Sequence, residues 1–181
     1  MLLRGDILYP RAYIQFLIHF HGDRDYFECH EVLEEYWKKT DSKNKDSIWV
    51  GLILLAVSTY HHRRKNFKGA KRTLQKALTI LKKQEDSVKK LGLDYVQLLQ
   101  IVQERLNLIT SEQLYKSFNI PISDPHLLDL CFATCDQLKF QWGKDSDLTN
   151  INLVQRHKLR DRTNVIQERN QSLKMRKEAD L

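Results

Sequence analysis

Apolar side chains recur every three or four residues along most of this chain, the pattern of helices that each bury one face. Tyr13, Phe16, Leu17 and Phe20 form the first series; Pro10 suits a first helical position, and Gly22 can close the helix. Asp25 stands three residues before Glu28, a variant of the capping-box pattern, so a second helix is predicted from there to about Lys39. The polar stretch TDSKNKDS reads as a loop. Its spacing resembles a calcium loop, but Lys43 and Lys45 stand where oxygen ligands are needed. Asp46 or Ser47 can cap a third helix over about residues 48–64, and its opening run IWVGLILLAV is apolar on every side, which predicts a central, buried helix.

Asn66 can cap a fourth helix with Ala70, Leu74, Ala77, Leu78 and Leu81 as its inner stripe and Lys71, Arg72, Lys76, Lys82 and Lys83 mostly outside. Asp94 opens a fifth, carrying Val96, Leu98, Leu99, Val102, Leu106 and Ile109. After the break NIPISDP, Asp124 and Pro125 start a short helix to about Leu138. A last helix is expected from Asn164, with Gln167 three residues on. Neither a repeat nor a convincing strand is visible. The expected fold class is therefore all-α: a compact bundle of about five core helices over residues 1–142, a linker over 143–163, and an additional basic C-terminal helix over 164–181.

Composition narrows the classes. With 181 residues the chain can bury a core without disulfides, and 3 cysteines are an odd number for a disulfide framework. The opening MLLRGDILYPR lacks an apolar stretch of signal-peptide length, and IWVGLILLAV is too short to span a bilayer. A cytoplasmic protein with no membrane partner is expected. No glycine-rich phosphate loop, GxSxG elbow or dinucleotide fingerprint occurs. The net charge of +7 is unevenly spread: Asp23 to Glu35 is acidic, Arg63 to Lys90 strongly basic, and the tail from Ile151 basic again. Lysines on the wet face of an amphipathic helix account for residues 63–90; the 151–181 tail leaves a nucleic-acid partner open.

The chemistry concentrates in YFECHEVLEEYWKK, residues 26–39. At about 100° per residue, His30 and Glu34 fall between Trp37 and Phe27, away from the polar arc of Glu28, Glu35 and Lys39. The pair is thus expected to point toward the interior or its rim, with Glu31 just beyond. A buried carboxylate needs partners. The end of the third helix can supply them: Tyr60, His61, His62, Arg63, Arg64 and Asn66. Three readings follow. One is a satisfied network that fixes helix register. Another is a ligand or catalytic pocket with Glu31 or Glu34 as general base and His30 as acid–base partner. The third is a metal site; none is expected, and the set, if one exists, would be His30, Glu34 and His62. His19 and His21 read as surface histidines, and Cys131 and Cys135 as packing residues.

The stretches YFECHEVLEEYWK and WVGLILLAVSTYHHRRKNFKGAKRTLQKAL resemble the prokaryotic family of small helical proteins catalogued as domain of unknown function family 309, over about residues 24–81. Its hallmark is a helix opening aromatic-E-x-HE-x-x-E-x-x-W, then a helix ending in a His/Arg cluster and a GN-x-x-GA turn. The resemblance implies an all-helical bundle and no established activity. It marks Phe27, His30, Glu31, Glu34, Trp37, Arg64, Asn66, Gly69 and Ala70 as motif positions. Lys65 stands where a glycine is typical, so a turn there at positive φ would be strained. The tail RDRTNVIQERNQSLKMRK resembles that of longer members from Gram-positive bacteria.

The functional expectation is a ligand- or partner-binding helical protein, its cofactors unknown and a second copy of itself possible as partner. Its polar site would be built from His30, Glu31, Glu34 and the 61–66 cluster. The alternatives are a hydrolase-type enzyme using the same residues, with or without a metal, and a nucleic-acid-associated protein working through its basic tail.

Overall fold

A computed structural model describes residues 9–159. Its helices are α1 (Arg11–Ile18), α2 (Tyr26–Thr40), α3 (Ile48–Arg63), α4 (Phe67–Lys82), α5 (Glu85–Lys90), α6 (Tyr95–Thr110), α7 (Pro125–Leu138), and two short pieces, α8 (Ile151–Val154) and α9 (Arg156–Leu159). The fold is all-α; the extended pairing among the described residues is a single bridge between Leu93 and Ile122. No described helix is long and apolar enough to cross a membrane. The C-terminal helix expected from Asn164 lies outside the described residues.

Local chemistry sets the boundaries. Asp25, Asn66 and Asp94 each accept a backbone N–H three residues on, from Glu28, Gly69 and Gln97, at 3.0, 3.0 and 2.9 Å. Asp124 accepts from His126 N–H at 2.8 Å. Ser47 occupies the cap position of α3 without a side-chain bond. α1 ends differently from the expectation: it runs into a π-helical turn, His19–Asp23, and the chain reverses at Arg24 in the left-handed region, φ 59°.

α3 is the central helix, buried along most of its length and flanked by α2 and α4. The α4 stripe of Ala70, Leu74, Ala77, Leu78 and Leu81 is buried, and Arg72, Lys76, Lys82 and Lys83 are exposed. The inner stripe of α4 thus found its neighbours where periodicity placed it, whereas Val96 of the α6 series is 72% exposed.

The irregular segments are held by buried cations, which periodicity does not reveal. Arg24, 1% exposed, donates to the carbonyls of Phe20, Phe118 and Lys144 and to Asn119 Oδ1, at 2.7–2.8 Å. Arg63 donates to Arg24 O at 2.7 Å, Ser146 Oγ at 3.0 Å and Leu153 O at 3.1 Å, and lies 4.7 Å above the Tyr26 ring. Arg105 donates to Lys116 O and lies over Phe118. Residues 144–156, within the span expected as a linker, are therefore pinned to the bundle. Arg156 adds an ion pair with Asp25, and its other nitrogen lies 3.6 Å from Glu28.

His21 belongs to the same framework and is not a surface group: it is fully buried and stacked on Trp142 with ring centroids 4.2 Å apart. Its Nδ1 donates to Leu17 O at 2.7 Å and its Nε2 accepts Ile120 N–H at 2.9 Å, which fixes the neutral tautomer. Burial pushes its pKa down to about 4.

Candidate functional site

The Asp41–Ser47 loop folds α3 back along α2, so the start of α2 lies beside the end of α3. Phe27 and Tyr60 meet there with ring centroids 6.3 Å apart. With Val57 they wall a cleft of about 280 Å3. His30, His61 and Arg64 supply polar groups to it, and His157 of α9 closes one edge. The His157 N–H donates to Tyr60 Oη at 3.2 Å, and its ring stands edge-on to Phe27 at 6.2 Å.

His30, Glu31 and Glu34 sit at the rim and not in the interior. Their side chains are 26%, 31% and 34% exposed. The core side of α2 is taken by Tyr26, Cys29 and Leu33, which leaves the histidine and the acids flanking it. His30 Nδ1 lies 3.1 Å from Glu31 Oε1, and its Nε2 lies 3.6 Å from Glu34 Oε2. Lys38 Nζ is 3.3 Å from Glu34 Oε1. Water thus reaches Glu34, which also has a surface lysine, so the desolvation that would make its loss costly is largely avoided.

Of the six residues expected to meet this trio, the structure divides the set. Tyr60, His61 and Arg64 share the cleft with His30. His62 does not: it is 2% exposed and its Nε2 donates to Gln113 O at 2.8 Å. Burial first, then Arg105, lowers its pKa. A metal set of His30, Glu34 and His62 is therefore not assembled. Arg63 turns inward to the carbonyls already described. Asn66 caps α4, and its Nδ2 donates to His61 Nδ1 at 3.2 Å. Donor atoms of His30, Glu31 and Glu34 do lie within 4.8 Å of one another, a candidate cation set. The carboxylates face opposite nitrogens of one ring, however, and a first-row ion at about 2.0–2.2 Å from each ligand would need them to converge.

The turn between α3 and α4 has a physical reading. A Cβ at Gly69 would lie 2.7 Å from Asn66 Nδ2, so the glycine leaves room for the capping amide. Ala70 is fully buried, and its carbonyl accepts from Ser58 Oγ at 2.8 Å. Lys65 lies at φ 59°, the left-handed conformation in which glycine carries no penalty.

Electrostatics separate the cleft from its surroundings. The Arg64 guanidinium stacks 5.1 Å from the Tyr60 ring centre, and its Nε is buried without a hydrogen-bond partner. The His61 pKa is lowered by burial first, then by Arg64, Arg72 and His157, so the ring is neutral near pH 7. Since its Nδ1 accepts from Asn66, the proton sits on Nε2. Beside the cleft, on the outer face of α2, Glu28, Glu31, Glu34 and Glu35 form an acidic cup with Lys38.

Phe27, His30 and Arg64 of the motif thus meet at the cleft, whereas Trp37 lies at the other end of α2, where its Nε1 donates to Asn44 O at 3.1 Å. A family model described as "Domain of unknown function (DUF309)" matches residues 13–73. An uncharacterized protein, YpuF of Bacillus subtilis (strain 168), is 46% identical over 172 residues, covering 95% of this chain and 99% of that one. The chain belongs to the DUF309 family. No solved structure matches it. The family match begins within α1 and ends within α4, so it covers most of α1, the π-helical turn, the α2–α3 hairpin and the start of α4. It leaves out the 111–124 and 139–159 segments that the buried arginines hold.

Three participants escaped the sequence reading. Arg24 sits in an acidic stretch and carries no periodic signal. Arg156 and His157 stand in a segment with no helical stripe, and proximity to α2 becomes visible only once the chain is folded.

Proposed function

We propose that this DUF309 protein is a small-ligand-binding protein of the cytoplasm whose site is the α2–α3 cleft. The observation that carries the reading is the lining itself: aromatic walls from Phe27 and Tyr60 converge with the polar ends of His30, His61 and Arg64. An apolar concavity with few converging polar groups is the usual form of a binding site. At about 280 Å3 it suits one ring with a small head group, and is too small for a folded partner's element. The cytoplasmic assignment is supported by Cys29, Cys131 and Cys135, which are free thiols and buried.

Binding is favoured over covalent catalysis because the described lining supplies no serine, threonine or cysteine hydroxyl or thiol. The His30–Glu31–Glu34 trio is a rim that orients the imidazole at the cleft mouth. The test is a ligand-observed NMR screen of the full chain against fragments of mixed charge, followed by amide mapping. Hits that perturb Phe27, His30, Tyr60 and His61 are expected. A screen in which no fragment of any charge perturbs these amides would overturn the reading.

A further inference from the structure

We infer that the cleft takes a small aromatic anion, a planar ring bearing a carboxylate or phosphate group, with the ring against Phe27 and Tyr60 and the anionic oxygens on Arg64 and His61. This rests on the cleft being a ligand site and names the class of ligand.

The contrast among the arginines is the reason. Arg24, Arg63 and Arg105 each donate to backbone carbonyls. Arg63, Arg64 and Arg105 alike have a buried Nε without a partner among the described residues, but Arg64 donates to no described acceptor through its other nitrogens either, and no described carboxylate lies within ion-pair distance of it. Arg64 is half-buried, and a guanidinium with no acceptor from the described residues is free to take an anion; its fork suits the paired oxygens of a carboxylate or phosphate. Its stacking on Tyr60 holds the plane in position before any ligand arrives.

Three further features agree. The cleft lining contains no acid, while the acids of α2 are sorted onto the neighbouring cup. His61 presents Nε2–H as a neutral donor, its other nitrogen being engaged by Asn66. Arg72 stands near enough to act on His61 electrostatically, which adds positive potential at that ring. A cationic ring would meet like charge here; a neutral ring would leave Arg64 without an acceptor.

The experiment titrates isotopically labelled full-length protein with four probes: phenyl phosphate, benzoate, benzylamine and inorganic phosphate, read by amide shifts. Phenyl phosphate or benzoate is expected to shift Phe27, His30, Tyr60, His61 and His157 saturably, and the stronger of the two identifies the head group. Benzylamine and inorganic phosphate are expected to bind at least tenfold more weakly, as is the preferred probe to Arg64→Ala. His61→Gln, a second variant that keeps a donor amide, is expected to weaken it less than Arg64→Ala. Spectral dispersion reports whether each variant folds. Equal or tighter binding of benzylamine overturns the anion assignment while leaving the cleft as a site. Equal binding of inorganic phosphate overturns the aromatic part. No saturable shift at the cleft with any of the four overturns the inference, and the mixed-charge screen then decides whether the site itself survives.

Discussion

The arginine clamp and the aromatic cleft lie on either side of the last turn of α3, and both are built from arginine, histidine and tyrosine. In the clamp, Arg24 and Arg63 are buried and their guanidinium groups donate to carbonyls that include those of Phe118, Lys144 and Leu153, although Arg63 Nε has no partner among the described residues. His21 likewise uses both ring nitrogens. In the cleft, Arg64 has a ring to stack on and no acceptor among the described residues, and His61 keeps one nitrogen for an outside partner. Adjacent residues thus differ in use because one faces loops with unpaired carbonyls and the other faces an opening. A buried cation that donates to backbone carbonyls holds a structure together; a half-buried one with no acceptor from the described residues can take an outside partner.

The comparison breaks most easily at the clamp. Arg24→Ala strands the carbonyls of Phe20, Phe118 and Lys144 and should cost at least about 3 kcal/mol, seen as a lower urea midpoint. A loss below about 1 kcal/mol would mean that these carbonyls find water.

Next is pH. His21 has a folded pKa of about 4, below the ordinary 6.5, so its contribution is complete above pH 6.5 and is lost as pH falls toward 4. The full loss amounts to about 3 kcal/mol, because the unfolded chain takes up the proton that the folded core refuses. His61 and His62, also lowered, act with the same sign. His19 acts oppositely. Burial there pulls its pKa down, but the hydrogen bond and charge of Asp23 more than offset it. Unfolding curves from pH 7 to pH 4 should therefore show falling stability, with a shallower fall in His21→Asn.

Lys65→Gly should stabilise the protein by about 1 kcal/mol in thermal or urea unfolding, because glycine accepts φ 59° without the Cβ clash. Glu34→Ala should have the smallest effect, within about 1 kcal/mol by the same measurement, as expected for a half-exposed group with a surface lysine.

The helices were legible because each rests on local chemistry. Asp25, Asn66, Asp94 and Asp124 announce their caps, and the α4 stripe announces its inner face. The hairpin of α2 on α3 followed from a short polar loop, which is why His30, Tyr60, His61 and Arg64 could be brought together from the sequence. The division between Arg63 and Arg64 could not be read, since it depends on carbonyls 39 to 90 residues away. Inward direction was overestimated for His30 and Glu34 because a wheel ranks angles but does not say how far the neighbouring helix reaches. His21 was misplaced for another reason: an isolated HxH near a helix end gives no sign that a π-helical turn carries its second histidine into the core.

The central claim is that Arg63 builds and Arg64 waits. Urea unfolding of Arg63→Ala and Arg64→Ala side by side tests it most directly. The account predicts a loss of at least about 3 kcal/mol for Arg63→Ala, from stranded carbonyls, and within about 1 kcal/mol for Arg64→Ala, the size of one stacking contact on Tyr60. Equal losses in the two variants would contradict it, since Arg64 would then be a structural cation like its neighbour.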